Sequence, residues 1–238
     1  MNYKTRMMFA LSLAAIFSVS LVSIGDMPQA IADQDKHDDE PKKYSFSKKP
    51  SFVSKECIVR ADNLPGDVPP LPEDFIAGLD CEMKAWLDKK GTGLKYKIQI
   101  TGMELIDSNT DHHTPDGVLD DIDGAHIHKM TNDDVTNPTG PHQLNTFGNP
   151  GFDDSDVVVK PVQGIIKGIW DDGDKNTSYG HPNDSHTLTE NLGLLCEGKI
   201  FSAVHGEVED RPGHKAPYVK MILEPTKQGN KICDKLGY

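Results

Sequence analysis

The stretch 94–100 alternates strictly between apolar and polar residues, and this alternation constrains the fold more than any other feature of the chain. On a β-strand, side chains two positions apart point to the same face of the sheet. One face of this strand is therefore predicted to line a core, and the other to meet solvent. The inward residues are Leu94, Tyr96, Ile98 and Ile100.

Short apolar runs recur along the chain and are separated by loops rich in glycine, proline, asparagine and aspartate. Strands are predicted at 75–87, 94–100, 123–129, 157–162, 164–170, 199–205 and 218–223. One helix is predicted at 188–195, with Thr187 as its cap and Glu190 three residues later. This pattern indicates an all-β fold, a Greek-key sandwich or barrel with long polar loops and one short helix.

The N-terminal segment 1–32 has the features of an export signal. Positive charges precede an apolar stretch at 7–24, and an A-x-A cleavage site ends the segment. Alternatively, the apolar stretch is retained as a membrane anchor at the cell surface. In both cases the protein is secreted or otherwise extracytoplasmic. Residues 33–55 are polar and charged and are predicted to form a disordered linker, and 56–238 a single β-domain.

The formal net charge of −12 limits the partners of this chain. An acidic surface argues against binding DNA, RNA or anionic lipid through a basic patch. It suits an extracellular protein, or one that gathers cations. We therefore expect a metal ion or an extracellular protein as partner, and no nucleic acid.

Four cysteines occur at wide and irregular intervals: Cys57, Cys81, Cys196 and Cys233. An even number of cysteines in an exported chain predicts two disulfides, with three connectivities open. The chain has no C-x-x-C pair, so a zinc knuckle is not expected.

Histidines provide the main functional signal. His126 and His128 are two residues apart and are predicted to share one strand face. His142 follows on a long loop, and His205 ends a late apolar run, where strand parity leaves its face undecided. A cluster of imidazoles without thiolate suits copper(II) or zinc(II). The alternative is structural, with imidazoles that bond loop carbonyls and hold the long loops in place.

Other polar groups could contribute ligands. Reserve ligands for the histidine cluster are Asp123, His181, His186 and His214. Asp107, Asn109 and Asp111 stand at alternate positions of an acidic loop, as in a calcium site. The glycine and the final glutamate of an EF-hand loop are missing at the required offsets, so calcium is the weaker expectation.

The order of these motifs resembles the chordin-type (CHRD) domain. Gly124-Ala-His-Ile-His128 is followed by apolar segments, a leucine-rich helix and the strand that ends at His205. The resemblance covers roughly residues 75–224 and departs at 216–223, where the family's Gly-Glu-Ile-Arg-Gly-Gln pattern is absent. Microbial members of this family are exported, so the resemblance implies an exported β-rich protein.

The histidine spacing is also similar to that of copper/zinc superoxide dismutase, a Greek-key β-family. The matching motifs are Gly124-Ala-His-Ile-His128, Gly140-Pro-His142 and Ala203-Val-His205. The resemblance implies that His126, His128 and His205 hold copper, and that His142 bridges copper and zinc. The remaining zinc ligands would have to come from the loop before Trp170, which has no histidine and offers Asp153, Asp154 and Asp156.

Three functions follow from these observations. The first is an exported CHRD-type protein that binds a copper-like ion and has a binding or interaction role. The second is a dismutase-like enzyme, in which copper alternates between Cu(II) and Cu(I). The third is a structural module without metal, whose loops bind a protein partner.

Overall fold

The alternating stretch forms a strand, Gly93–Thr101, in a computed structural model. The structure describes residues 44–59, 73–105, 121–147, 156–160, 163–174, 186–206 and 216–238. The predicted inward residues of this strand are buried, with Leu94, Tyr96 and Ile98 completely inaccessible to solvent. The alternation therefore identifies the core face correctly.

The strands in chain order are β1 (Phe52–Ser54), β2 (Ile58–Val59), β3 (Asp80–Leu87), β4 (Gly93–Thr101), β5 (Glu104–Leu105), β6 (Asp121–Lys129), β7 (His142–Phe147), β8 (Val158–Lys160), β9 (Ile165–Asp171), β10 (Ile200–Gly206) and β11 (Ala216–Pro225). The helices are α1 (Glu73–Gly78), α2 (Leu188–Cys196) and α3 (Lys227–Leu236).

The strands form one sheet in the order β5-β6-β10-β11-β1-β3-β4-β9-β8, with β7 beside β6 and β2 beside β11. All pairings are antiparallel except that of β5 with β6. The chain crosses the order of the sheet from β4 to β5, and again from β7 to β8, as in a Greek key. The sheet curls into a nearly closed barrel, and the all-β prediction is confirmed.

Closure brings β7 at one end of the sheet into contact with β9 near the other end. Two hydrogen bonds through His186 connect these strands. The indole Nε1 of Trp170 donates to the carbonyl oxygen of His186, and the backbone N–H of His186 donates to the carbonyl oxygen of Gln143. Apolar side chains from both halves of the sheet then fill one core.

The domain begins earlier in the chain than the sequence indicated. The linker prediction for 33–55 is wrong from residue 44 onward, because β1 pairs with β3 and with β11 in the middle of the sheet. Phe52 is fully buried, and the hydroxyl of Ser51 accepts a hydrogen bond from the backbone of Leu87. A strand of three residues is too short to show alternation, so polar flanks concealed it.

The predicted helix is confirmed as α2, including its capping box between Thr187 and Glu190. The structure has two further helices in its described part. Helix α1 occupies the beginning of the strand predicted at 75–87, and the strand itself starts at Asp80. Helix α3 lies in the polar C-terminal segment, where no element was predicted.

Both predicted disulfides form. Cys57 is bonded to Cys81, and Cys196 to Cys233. The second bond joins α2 to α3. No cysteine is free. Paired disulfides are typical of an oxidising compartment such as the cell exterior.

Several predictions fall outside the described residues. They concern the export signal or anchor at 1–32, the first part of the linker, and the calcium ligands Asp107, Asn109 and Asp111. Among the described helices, none has the length and apolar character needed to cross a membrane.

Candidate metal centre

Three neighbouring strands present the four predicted histidines. β6 lies between β10 and β7, and it carries both His126 and His128. His142, the first residue of β7, pairs directly with His128. His205 lies opposite Gly124, two positions before His126. Antiparallel pairing therefore brings histidines that are far apart in sequence onto one patch of sheet.

This patch is on the face of the sheet that points away from the core. Ala125 and Ile127 alternate with the β6 histidines and belong to the core cluster, so the imidazoles point outward. The histidines are nevertheless shielded: His126 is 4% exposed, His128 6% and His205 9%. His142 is half-buried, so the cluster meets solvent mainly on its side.

Pairing resolves the face of His205. It lies with Phe201 and Ala203 on the outer side of β10, at an irregularity in the pairing of β10 with its neighbours. Phe201 stacks on the ring of His128, with the two ring centroids 4.8 Å apart. An aromatic wall thus closes one side of the cluster.

The four side chains are close enough to share one ion. One ligand nitrogen from each histidine can be chosen so that all four lie within 4.8 Å of one another. Four nitrogens bonded to one copper or zinc ion at about 2 Å lie no more than about 4 Å apart. Side-chain movements that bring the ligand nitrogens closer by about 1 Å would satisfy this limit. The cluster could therefore hold a metal ion.

Ring packing shows how compact the cluster is. The centroids of His126 and His142 are 4.2 Å apart in a stacked arrangement, and those of His128 and His142 are 4.4 Å apart, edge to face. His205 lies 4.9 Å from His126. No carboxylate or thiolate joins this group among the described residues, so the donor set is nitrogen only.

One hydrogen bond defines the tautomer of His128. Its Nδ1 lies 2.9 Å from the carbonyl oxygen of Gly140. A carbonyl oxygen can only accept, so Nδ1 carries the proton and the lone pair is on Nε2. Nε2 is buried and has no hydrogen-bond partner in the described part of the chain. Metal-binding histidines commonly use one nitrogen for the ion and the other for such a carbonyl.

The electrostatics favour neutral imidazole at His128. Burial lowers its pKa well below the ordinary value of 6.5, and the neighbouring His142 lowers it further. The bond to Gly140 acts in the opposite direction, whereas His205 and Lys220 again lower the pKa. Only an unprotonated nitrogen can bind a metal, so the environment keeps this ligand in its binding form at neutral pH.

The loop between β6 and β7 supports the Gly140 carbonyl. It is closed by backbone bonds from Lys129 to Pro141 and from Thr131 to Thr139. A Cβ atom at Gly140 would lie 1.7 Å from the carbonyl oxygen of Lys129, so only glycine permits this approach.

Lys220 ties the same loop to the sheet. Lys220 is on β11 and pairs with Ala203 on β10, which places the lysine on the outer face beside the cluster. Its Nζ donates to the side-chain oxygen of Asn137 at 3.0 Å and to the carbonyl oxygen of Pro138 at 2.9 Å. The site thus has a positive charge on its own face, in a protein that is acidic as a whole.

Other predicted ligands are elsewhere or outside the description. His186 lies 3.3 Å from Glu190 at the start of α2, apart from the cluster. Asp156 accepts a hydrogen bond from the backbone of Ile169 on β9. The residues outside the description are His181, His214, Asp153, Asp154 and the side chain of Asp123.

Sequence reasoning missed Asn145. It lies opposite His126 on β7, is only 2% exposed, and neither its amide oxygen nor its nitrogen has a hydrogen-bond partner among the described residues. An unpaired buried amide costs about 1–3 kcal/mol, so such groups often mark a position where water or ligand binds. The segment 142–147 resembled a loop, and no local pattern singled out this asparagine.

Comparison with known proteins adds no family assignment. No protein-family model, curated protein or solved structure matches this chain. Its functional interpretation therefore depends on the geometry of the cluster and on the motifs themselves.

Proposed function

We propose that this is an exported β-domain that binds one copper-like ion through His126, His128, His142 and His205. The observation that carries the proposal is the convergence of four imidazoles within 4.8 Å, with the Nδ1 proton of His128 directed to a backbone carbonyl. A purely structural role explains the bond to Gly140. It does not explain why three more imidazoles gather on the same outer face.

The donor set supports copper, with zinc as the next choice. All cysteines are in disulfides, so no thiolate is available to favour a softer site. Among divalent first-row ions, copper(II) binds nitrogen ligands most tightly, and zinc also accepts imidazole. Calcium and magnesium prefer oxygen ligands, which the described cluster lacks.

Export and the CHRD resemblance support an extracellular binding or interaction role. The signal-like segment 1–32, two disulfides and the acidic composition agree with secretion or with display at the cell surface. In this proposal the bound ion stabilises the β6–β7 loop, and the exposed surface near this loop contacts an extracellular protein.

A dismutase-like oxidoreductase is the second candidate, and Lys220 is the observation that favours it. Superoxide is an anion, and this lysine lies close enough to His128 to lower its pKa. A small molecule could approach the cluster from the side of His142, which is half-buried. Copper held by imidazoles can alternate between two oxidation states. Of the three aspartates that would complete a zinc site like that of the dismutase family, the structure describes Asp156, which accepts a hydrogen bond from the backbone of Ile169 on β9.

Metal analysis of the purified protein is the deciding experiment. The protein is produced without a histidine tag under oxidising conditions, exposed to copper or zinc, desalted and analysed for metal by mass spectrometry. We expect about one ion per wild-type chain, and almost none in the double variant His126→Ala/His128→Ala. His186→Ala is the matched control, since this histidine is outside the cluster, and it should keep the wild-type metal content.

Equal metal content in the wild type and the double variant would reject both metal proposals and leave the structural module. If copper is bound, a superoxide assay separates the remaining candidates. Turnover that is lost in His126→Ala/His128→Ala but retained in His186→Ala indicates the enzyme. Bound copper without turnover indicates the binding protein.

A further inference from the structure

Three lysines form a row across three neighbouring strands, β3, β4 and β9. Lys84 on β3 pairs directly with Lys97 on β4, and Lys97 pairs directly with Lys167 on β9. Directly paired residues share a face, and neighbouring strands are about 4.8 Å apart. The row therefore spans about 10 Å on one side of the sheet.

The row faces outward. Lys84 stands between Met83 and Ala85, which are fully buried in the core, and the other two lysines likewise alternate with buried residues. All three are half-buried. Lysines at such positions commonly bury the stem along the surface and keep the ammonium group in water.

Like charges that face each other across strands destabilise a sheet, so this arrangement has a cost. Among the described residues, Lys84 is the one member of the row with a carboxylate partner, Glu82, at 2.6 Å. Lys97 donates to the neutral amide of Gln99, and no described carboxylate forms an ion pair with Lys97 or Lys167. A concentrated positive charge thus remains on the surface of an acidic protein.

Aromatic rings adjoin the row. The next cross-strand pair along β3 and β4 is Trp86 with Lys95. The Nζ of Lys95 lies 4.9 Å from the centre of the Trp86 ring and 5.4 Å from that of Phe46. Both rings are half-buried and Lys95 is exposed, so the surface combines cations with accessible apolar ring area.

We propose that this surface, formed by Lys84, Lys95, Lys97, Lys167 and Trp86, binds an anionic polysaccharide. An extended charged sugar chain presents anionic groups at short intervals, which complement the row of lysines. Its sugar rings also have apolar faces that pack against aromatic side chains. The two disulfides indicate an oxidising, extracellular environment, where polysaccharides are common polyanions, so nucleic acid is the competing ligand in the test.

The proposal is independent of the metal centre. The lysines lie on β3, β4 and β9, whereas the histidines lie on β6, β7 and β10, so the two groups share no strand. They come near each other only where β9 contacts β7 at the closure of the barrel. Binding is therefore measured with a chelator present, which removes any bridge through a bound ion.

Dextran sulfate and uncharged dextran are the matched probes, immobilised and compared by surface plasmon resonance at several salt concentrations. We expect saturable, salt-sensitive binding to dextran sulfate only. The variant Lys97→Gln/Lys167→Gln should bind about tenfold more weakly, because it loses two charge contacts with the polyanion. Lys227→Gln/Lys231→Gln removes the same charge from the exposed side of α3 and should bind within twofold of the wild type.

A thermal melt shows that the row variant is folded. Because Lys97 and Lys167 repel each other, the variant should be at least as stable as the wild type. Equal dextran sulfate binding by the row variant and the wild type would overturn the proposal. So would equal losses in the row and α3 variants, or tighter binding of polyglutamate or duplex DNA than of dextran sulfate.

Discussion

At the scale of single residues, Gly140 connects the β6–β7 loop to the metal centre. Any side chain at this position would collide with the backbone of Lys129, so Gly140→Ala must displace the carbonyl that orients His128. We expect a loss of about 1–3 kcal/mol in unfolding free energy, as for other overpacked sites. Copper affinity should fall as well, by about tenfold or more, because carbonyl partners of metal-binding histidines orient the ring.

Urea unfolding and copper titration measure these two effects. Gly78→Ala is the control, since a Cβ atom there meets nothing within 4 Å, and it should change neither quantity. Unchanged copper affinity in a folded Gly140→Ala protein would show that the carbonyl has no part in metal binding.

The depressed pKa of His128 predicts how the metal-free protein responds to acid. The unfolded chain binds a proton at this histidine below about pH 6.5, whereas the folded protein does so only at lower pH. The stability contributed by its neutral form is therefore complete above pH 6.5. It is lost as pH falls from 6.5 toward the folded pKa, by up to about 1.4 kcal/mol per pH unit.

Urea unfolding of chelator-treated protein at pH 7.5, 6.5 and 5.5 tests this dependence. His128→Gln cannot titrate at this position, so its stability should fall less steeply than that of the wild type. Parallel curves for the wild type and His128→Gln would contradict the assigned pKa direction.

The histidines themselves were predictable from sequence, but their supporting groups were not. Spacing of two residues placed His126 and His128 on one face because strand periodicity is local. Asn145 and Lys220 became relevant only through the pairing of β7 with β6 and of β11 with β10. Neither residue lies near the β6 histidines in the sequence, so no local pattern indicated them.

At the scale of elements, two of those that the sequence did not predict, β7 and α3, have unusual composition. In β7, the buried residues include Gln143, Asn145 and Thr146, which are typical of loops. In α3, the apolar side chains that pack against the domain are those of Ile232, Cys233 and Leu236, so most of the segment looked polar. Periodicity detects elements that bury apolar residues, and it fails where polar residues occupy buried positions.

The cap of α3 gives a prediction at this scale. The hydroxyl of Thr226 accepts bonds from the backbone N–H groups of Gln228 and Gly229, and lies within bonding distance of the carbonyl oxygen of Ser51. Thr226→Ala should lower the unfolding free energy by about 1–2 kcal/mol. Thr226→Ser retains the hydroxyl and should restore most of the loss. A thermal melt in which serine and alanine are equally destabilising would argue against the cap.

Glycine has a specific use in the same helix. A Cβ atom at Gly229 would lie 2.1 Å from the carbonyl oxygen of Ser51, so the helix can approach β1 only with glycine there. A residue that weakens an isolated helix thus permits its docking on the sheet. This compensation is visible only when both elements are seen together.

At the scale of the whole molecule, the Cys196–Cys233 disulfide holds the C-terminal helix to α2 and closes a loop of 37 residues. The double variant Cys196→Ser/Cys233→Ser should lose about 4 kcal/mol of unfolding free energy, from the greater entropy of the unfolded chain. It should also expose α3 to trypsin at Lys227 and Lys231.

Denaturant unfolding and limited proteolysis measure these effects. The comparison variant Cys57→Ser/Cys81→Ser opens a loop of 24 residues and should lose about 3 kcal/mol without new cleavage in α3. Equal trypsin sensitivity of α3 in both double variants would show that the disulfide does not secure the helix.

The sequence by itself determined the properties that depend on local periodicity and composition. They include the β-class, the core face of β4, the capped helix α2 and the shared face of the β6 histidines, because each follows from residues close together in the chain. Only the tertiary structure decided the disulfide pairing, the face of His205 and the central place of β1. It also decided that His142 and His205 lie beside the β6 pair, because strand order is set by packing between distant segments. The lysine row has the same origin, since its three members meet only through the pairing of β3, β4 and β9.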